Sequence, residues 1–219
     1  MKTALRTFCI VAIITMMGAT AVMAGQSQAA GDADRPDYYE IVKKLKNNDT
    51  NVDFQALRLA YTKTPDYKPY GADSSAKDAA FDALNKNNYA QAIKHAQSVL
   101  ETNYVDLDIH LLCRIAYGKM GNSEKYTFHT SVLKGLVGSL YASGDGTTPE
   151  KAIVVISVPE EYFVANANGL KSIKISTLTA NGHDYDRMDV ESKKTAEKST
   201  LYFNIDIPRR WLTKNLQKK

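Results

Sequence analysis

Asn87-Asn88-Tyr89-Ala90-Gln91-Ala92-Ile93, with Ala96, Val99 and Leu100 after it, is the stretch on which the fold turns. The two asparagines read as a turn and Tyr89 as the opening of a helix. Ala92, Ile93, Ala96, Val99 and Leu100 then recur at three- and four-residue steps, the spacing of one helix face. Small residues at Ala83, Ala92, Ala96 and Ala116 suit closely paired helices, because larger side chains would hold the axes apart.

Turn, aromatic and small residue at these offsets make the segment similar to the second helix of a tetratricopeptide-type repeat. Asn87-Asn88 recurs as Gly121-Asn122 at a spacing of about 34 residues, that repeat's period. Ala116-Tyr117 precedes the second turn as Ala83 precedes the first. One full and one degenerate unit are supported, and because a single unit cannot bury its own face, flanking helices must complete the bundle. Upstream, Tyr38, Tyr39, Ile41, Val42 and Leu45 fall at helical spacing behind Asp37, and Asn47-Asn48-Asp49 ends that helix. Asp53 caps a second helix that puts Phe54, Leu57 and Tyr61 on one face, with Arg58 beside the stripe and in need of a buried carboxylate. Thr64 to Gly71, with Pro65, Pro69, Tyr67 and Tyr70, has no period and reads as a loop pinned by its rings.

After Tyr141 the period changes. Ser143 to Pro149 is a turn cluster. Ala152 to Val158 is a β-branched apolar run expected to form a buried strand. Alternation from Gly169 to Ala180, the tight-turn pair Asn181-Gly182 and the segment Asp184 to Val190 predict a hairpin. Leu201 to Ile207 predicts one more strand. The fold expected is α+β: a helical bundle over residues 36–141, then a small, mostly antiparallel sheet within 142–212, and a solvated tail from 213.

The first 24 residues supply Lys2 and Arg6 and no acid, then an apolar run from Phe8 to Met17, then small residues ending Ala21-Val22-Met23-Ala24. That is the pattern of a secretory signal peptide, with cleavage expected after Ala24 or, second, Ala30. The run is shorter than the about 20 apolar residues of a membrane span, so no stable membrane anchor is expected after cleavage. Residues 25–35 read as a flexible leader. Without the signal segment the formal charge of +4 falls by two, which argues against a nucleic-acid binder. The expected destination lies across the inner membrane, in the periplasm. Cys113 is the one cysteine beyond the leader, so no internal disulfide is available to it, and its apolar neighbours predict a buried, inert thiol.

Val52-Asp53-Phe54 with Leu57-Arg58 and Ala60-Tyr61, Tyr67-Lys68-Pro69-Tyr70-Gly71, Gly144-Asp145-Gly146-Thr147, and Val155-Ile156-Ser157-Val158 before Glu160-Glu161-Tyr162 together resemble a bacterial family, DUF4919, a domain of unknown function. The resemblance spans most of the chain beyond the leader. It implies an exported protein with helices first and strands later, and it carries no activity, cofactor or catalytic residue.

Arg58, Tyr67, Tyr70, Asp145 and Glu161 are the candidate binding residues. Asp145-Gly146-Thr147-Thr148 reads either as an anion cradle or as a turn satisfied by its own side chains, and the second reading carries more weight. Glu160 and Glu161 suit the start of a helix, where acids are favoured. His183-Asp184-Tyr185-Asp186 lacks the further ligands of a metal site and reads as a charged hairpin edge. His95, His110 and His129 have no paired spacing, and Arg209-Arg210-Trp211 reads first as an anchor for the C-terminal segment. No catalytic set, metal or cofactor is expected. The function expected is a non-enzymatic module for a peptide or envelope-protein partner. The alternative is a hydrolase or small-ligand protein with its site between bundle and sheet.

Overall fold

The computed structural model describes residues 37–71 and 74–217, and the expected signal segment and leader lie outside them. Helices α1 (Tyr38–Lys46), α2 (Phe54–Tyr61), α3 (Ser75–Asn85), α4 (Tyr89–Thr102), α5 (Leu107–Lys119) and α6 (Ser123–Tyr141) come first. A 3-10 turn (Pro149–Lys151) leads to β1 (Ile153–Val154), α7 (Val158–Ala167), β2 (Leu170–Ala180), β3 (His183–Ser192), β4 (Lys198–Asn204) and α8 (Asp206–Leu216). The architecture is α+β, as the change of period after Tyr141 requires.

Local chemistry explains where the helices begin. Asp37, Asp53, Asn88, Asp106 and Asn122 each accept a backbone N–H from the first turn of the helix they precede, satisfying donors that have no intrahelical partner. The two central turns are alike in detail. Asn87 and Gly121 take φ of 57° and 72°, and the next residue donates back in each case, Asn88 N–H to Ala83 O at 2.9 Å and Asn122 N–H to Tyr117 O at 3.0 Å. Each turn thus closes its helix with a left-handed residue followed by a long backward hydrogen bond. The hairpins α3–α4 and α5–α6 that result stack through α4 against α5, and α2 lies across α6.

Phe54 on α2 meets α6 at Gly135, where a Cβ would lie 2.2 Å from the ring. Gly135→Ala is therefore expected to destabilise by about 1–3 kcal/mol through overpacking. Gly138→Ala, on the same helix with open space at its Cβ, is expected to stabilise by up to about 1 kcal/mol through helix propensity. Denaturant midpoints that move in the same direction for both variants would show that the Phe54 ring yields freely.

The sheet has the order β1-β4-β3-β2. β1 runs parallel to β4 and the other pairs are antiparallel. Asn181 and Gly182 take φ of 53° and 78°, so the β2–β3 hairpin turns where Asn-Gly places it. Met188, Val190 and Phe203 are fully buried and join one hydrophobic cluster with Leu45, Leu57 and Leu136. Sheet and bundle therefore share a core.

Four expectations need correction. The strand expected over Leu201–Ile207 ends at Asn204, and Asp206 already opens α8. The run Ala152–Val158 is a strand only at Ile153–Val154, and Val158 opens α7. Pro159 sits in the first turn of that helix, where its missing N–H costs nothing. His183 to Asp186 does not lie on a sheet edge, since β3 is flanked by β4 and β2. The tail expected from residue 213 is helical as far as Leu216.

Candidate functional site

A cleft of about 440 Å³ opens between the helical hairpins and α7. The end of α2 and the tyrosine loop form one wall with Tyr61, Tyr67 and Tyr70, α3 contributes Phe81, and α7 contributes Tyr162 and Phe163. Tyr70 and Tyr162 stand at its lip, 46% and 43% exposed. The rings that hold this wall form a continuous series. Tyr38, Tyr61, Tyr67, Trp211 and Tyr70 follow one another at centroid separations of 5.4, 5.7, 6.3 and 6.3 Å, so α1 and α8 are joined through the loop. Phenolic hydroxyls anchor the series. Tyr67 donates to Ile156 O at 2.5 Å, Tyr61 donates to Asp66 O at 3.2 Å, and Tyr38 accepts the Tyr104 N–H at 2.9 Å. Burial pushes the Tyr38 phenol up to about 12 and raises those of Tyr61 and Tyr67 as well.

Opposite the tyrosines, Lys77 of α3 reaches the start of α5. Its Nζ donates to both carboxylate oxygens of Asp106, at 2.9 and 2.8 Å, and lies 2.9 Å from Asp108. Burial works against the ammonium, but Asp106 and Asp108 outweigh it, and the Lys77 pKa is held above its ordinary value. Asp106 also caps α5, so one carboxylate fixes both the helix start and the cleft wall.

Glu160 reaches the cleft lining, and beneath it lies its partner Arg58. Arg58 Nε and Nη2 donate to Glu160 Oε1 and Oε2 at 2.9 and 2.7 Å, in the two-pronged geometry that guanidinium and carboxylate share. Arg58 also donates to Ser139 Oγ at 3.3 Å and Val154 O at 3.0 Å, and Glu160 accepts the Ile156 N–H at 2.8 Å. Arg58 is 3% exposed and Glu160 4%. The arginine beside the apolar stripe of α2 thus finds the buried carboxylate its position demands, on α7.

Glu161 is the anomaly. It is fully buried, and neither carboxylate oxygen has a hydrogen-bond partner among the described residues. Burial, then Asp186, then Glu160 raise its pKa to about 8, so the neutral acid is the form that fits this site at pH 7.

Of the five candidate residues, Tyr67 and Tyr70 line the cleft. Arg58 lies beneath it, linked through Glu160, and Glu161 is buried one residue further along α7. Asp145 is apart from this group. It is exposed, and its Oδ1 accepts the Thr147 hydroxyl at 2.6 Å and the Thr147 N–H at 2.9 Å. Those two bonds, the hydroxyl first, hold its carboxyl below the usual range. Sequence reasoning missed Lys77 and the Asp106–Asp108 pair, whose short spacing at a helix start was the available signal. It also missed the meeting of His110 and His129. Cys113 is buried as expected, with its thiol pushed up to about 12 by desolvation.

A shared core of helical hairpins and a mostly antiparallel sheet, with a tyrosine-walled cleft at their junction, defines the class of protein. Residues 29–214 match the family model described as "Domain of unknown function (DUF4919)", and the chain belongs to that family. No curated protein and no solved structure matches it.

Proposed function

We propose that this is a non-enzymatic binding module, exported to the periplasm, whose cleft takes a segment of a peptide or of an envelope-protein partner. In this reading the two helical hairpins are tetratricopeptide-like units, and the ligand lies where their stack meets α7. The observation that carries it is the cleft itself, with exposed Tyr70 and Tyr162 at its lip and polar groups of Lys77, Asp106 and Asp108 within. Large, stiff aromatic rings in a concavity are favoured anchors for peptide and protein ligands. What favours binding over hydrolysis is that the carboxylates of Asp106 and Asp108 are held by Lys77 and that of Glu160 by Arg58. The hydrolase alternative would draw on the neutral acid Glu161, which does not line the cleft.

The test is a periplasmic pull-down and a peptide array probed with the exported protein and with a Tyr70→Ala/Tyr162→Ala variant. Wild type is expected to retain a peptide or envelope protein, and the variant to bind it at least about tenfold more weakly. Equal binding by both, or no capture by wild type, would remove the cleft from the reading.

A further inference from the structure

A second cavity, of about 340 Å³, lies on the other side of α4 and α5, away from the tyrosine cleft. Leu100, Tyr104, Cys113, Tyr117, Phe128 and His129 line it, together with polar side chains that include Lys46, Glu101 and Lys125. His129 is 6% exposed and contributes a ring stacked near Tyr117 at a centroid separation of 5.6 Å.

The protons on this ring follow from its partners. His110 Nε2 lies 2.9 Å from the carbonyl oxygen of Tyr104, which can only accept, so Nε2 of His110 carries a proton. His110 is fully buried, and no carboxylate is paired with it among the described residues, so it is neutral. Its Nδ1 is then a bare acceptor. His129 Nδ1, 3.0 Å away, must supply the proton of that bond. His129, itself neutral, is left with a lone pair on Nε2, for which no partner exists among the described residues. Burial lowers both imidazoles, His110 to about 4 and His129 to about 3, consistent with two neutral rings. A backbone carbonyl thus sets the tautomer of a ring two steps away.

We propose that this cavity is a binding site for a small planar aromatic molecule that donates one N–H or O–H to Nε2 of His129. The lone pair opens on the cavity as an acceptor that water can meet, and a ligand N–H or O–H takes the place of that water, whereas a ligand without a donor displaces it and leaves the acceptor unmet. A metal ion is the other kind of ligand an imidazole lone pair takes. Among the described residues, however, no group of three or more His, Cys, Asp and Glu side chains is placed to hold one. Tyr104, Tyr117 and Phe128 supply flat apolar walls, and the volume is roughly twice that of a cavity of about 150 Å³ that holds benzene. A two-ring molecule fits the volume, and its single donor matches the His129 acceptor.

The experiment uses the protein labelled with nitrogen-15 at its histidines, with indole as the donor probe and 1-methylindole as the same shape without the donor. In the free protein, Nε2 of His129 is expected to give a pyridine-type resonance and Nδ1 a protonated one. Indole is expected to shift Nε2 of His129 and to bind at least about tenfold more tightly than 1-methylindole. His129→Phe keeps the ring stack and should abolish that preference. A protonated Nε2 in the free protein, equal affinity for the two probes, or no shift at millimolar indole would each overturn the proposal. Because the tautomer is read in the wild type, a misfolded variant leaves the test intact.

Discussion

The protein is expected to be most stable near pH 6.5 and to lose stability toward pH 8, and Glu161→Gln is expected to remove that alkaline loss. The Glu161 carboxyl has its pKa raised from 4.5 to about 8 on folding. Below pH 4.5 both folded and unfolded chains hold the proton, so the group does not discriminate between them. As pH rises from 4.5 to 8 only the folded state keeps it, and stability falls by about 1.4 kcal/mol per pH unit, roughly 5 kcal/mol in all. The buried histidines act in the opposite sense. Their folded pKa values are lowered from 6.5 to about 4 and about 3, so the stability they contribute is present above pH 6.5 and is lost as pH falls through those values. Between 4.5 and 6.5 two histidines outweigh one carboxyl, and above 6.5 the carboxyl acts alone. Urea midpoints of wild type and Glu161→Gln at about pH 5, 6.5 and 8 decide the matter. Parallel profiles would mean that the carboxyl is already ionised in the folded protein.

Arg58→Ala is expected to cost about 3–5 kcal/mol, because it leaves the Glu160 carboxylate buried without its counter-charge. Glu160→Gln should be milder than Glu160→Ala, since an amide still accepts from Arg58 and Ile156 N–H. The pairing is best read from the double variant Arg58→Met/Glu160→Met. Apolar side chains in place of both ions are often close to neutral, so the double variant should be markedly more stable than the sum of its single parts. Additive losses in such a cycle would assign the cost to cavity formation and not to the ion pair.

Much of this was legible because it is local. Capping residues such as Asp53 and Asn122, the left-handed turn at Asn87 and the Asn181-Gly182 hairpin depend on a few neighbouring residues, and each sits where its own chemistry puts it. The apolar run at Ile153 misled because β-branching and a flanking proline suit a buried strand and a helix start alike. A core position two residues long gives periodicity nothing to act on. Arg58 announced that it needed an acid, but two adjacent glutamates met that description. Successive residues of a helix point about 100° apart, and only the placement of α7 decides that Glu160 meets the guanidinium while Glu161 is buried without a hydrogen-bond partner among the described residues. The same limit hid the histidine pair and the Lys77 cluster, whose members come together through the stacking of hairpins and not through spacing along one helix.

The seam of the molecule also sets an order of assembly. Arg58 and Glu160 are separated by 102 positions in the chain, Tyr67 and Ile156 by 89, and Tyr38 and Tyr104 by 66. The hairpins α3–α4 and α5–α6 close over short loops and can form as soon as their own residues have been made. Helices α1 and α2 touch each other through Tyr38 and Tyr61, but the pair alone does not cover their buried faces. They wait for chain that is synthesised much later, and contacts of that range carry the loop-closure cost that slows folding. Helices α1 and α2 are therefore fastened after the chain that follows them, and a chain that stops short of α7 lacks the carboxylate that pairs with Arg58.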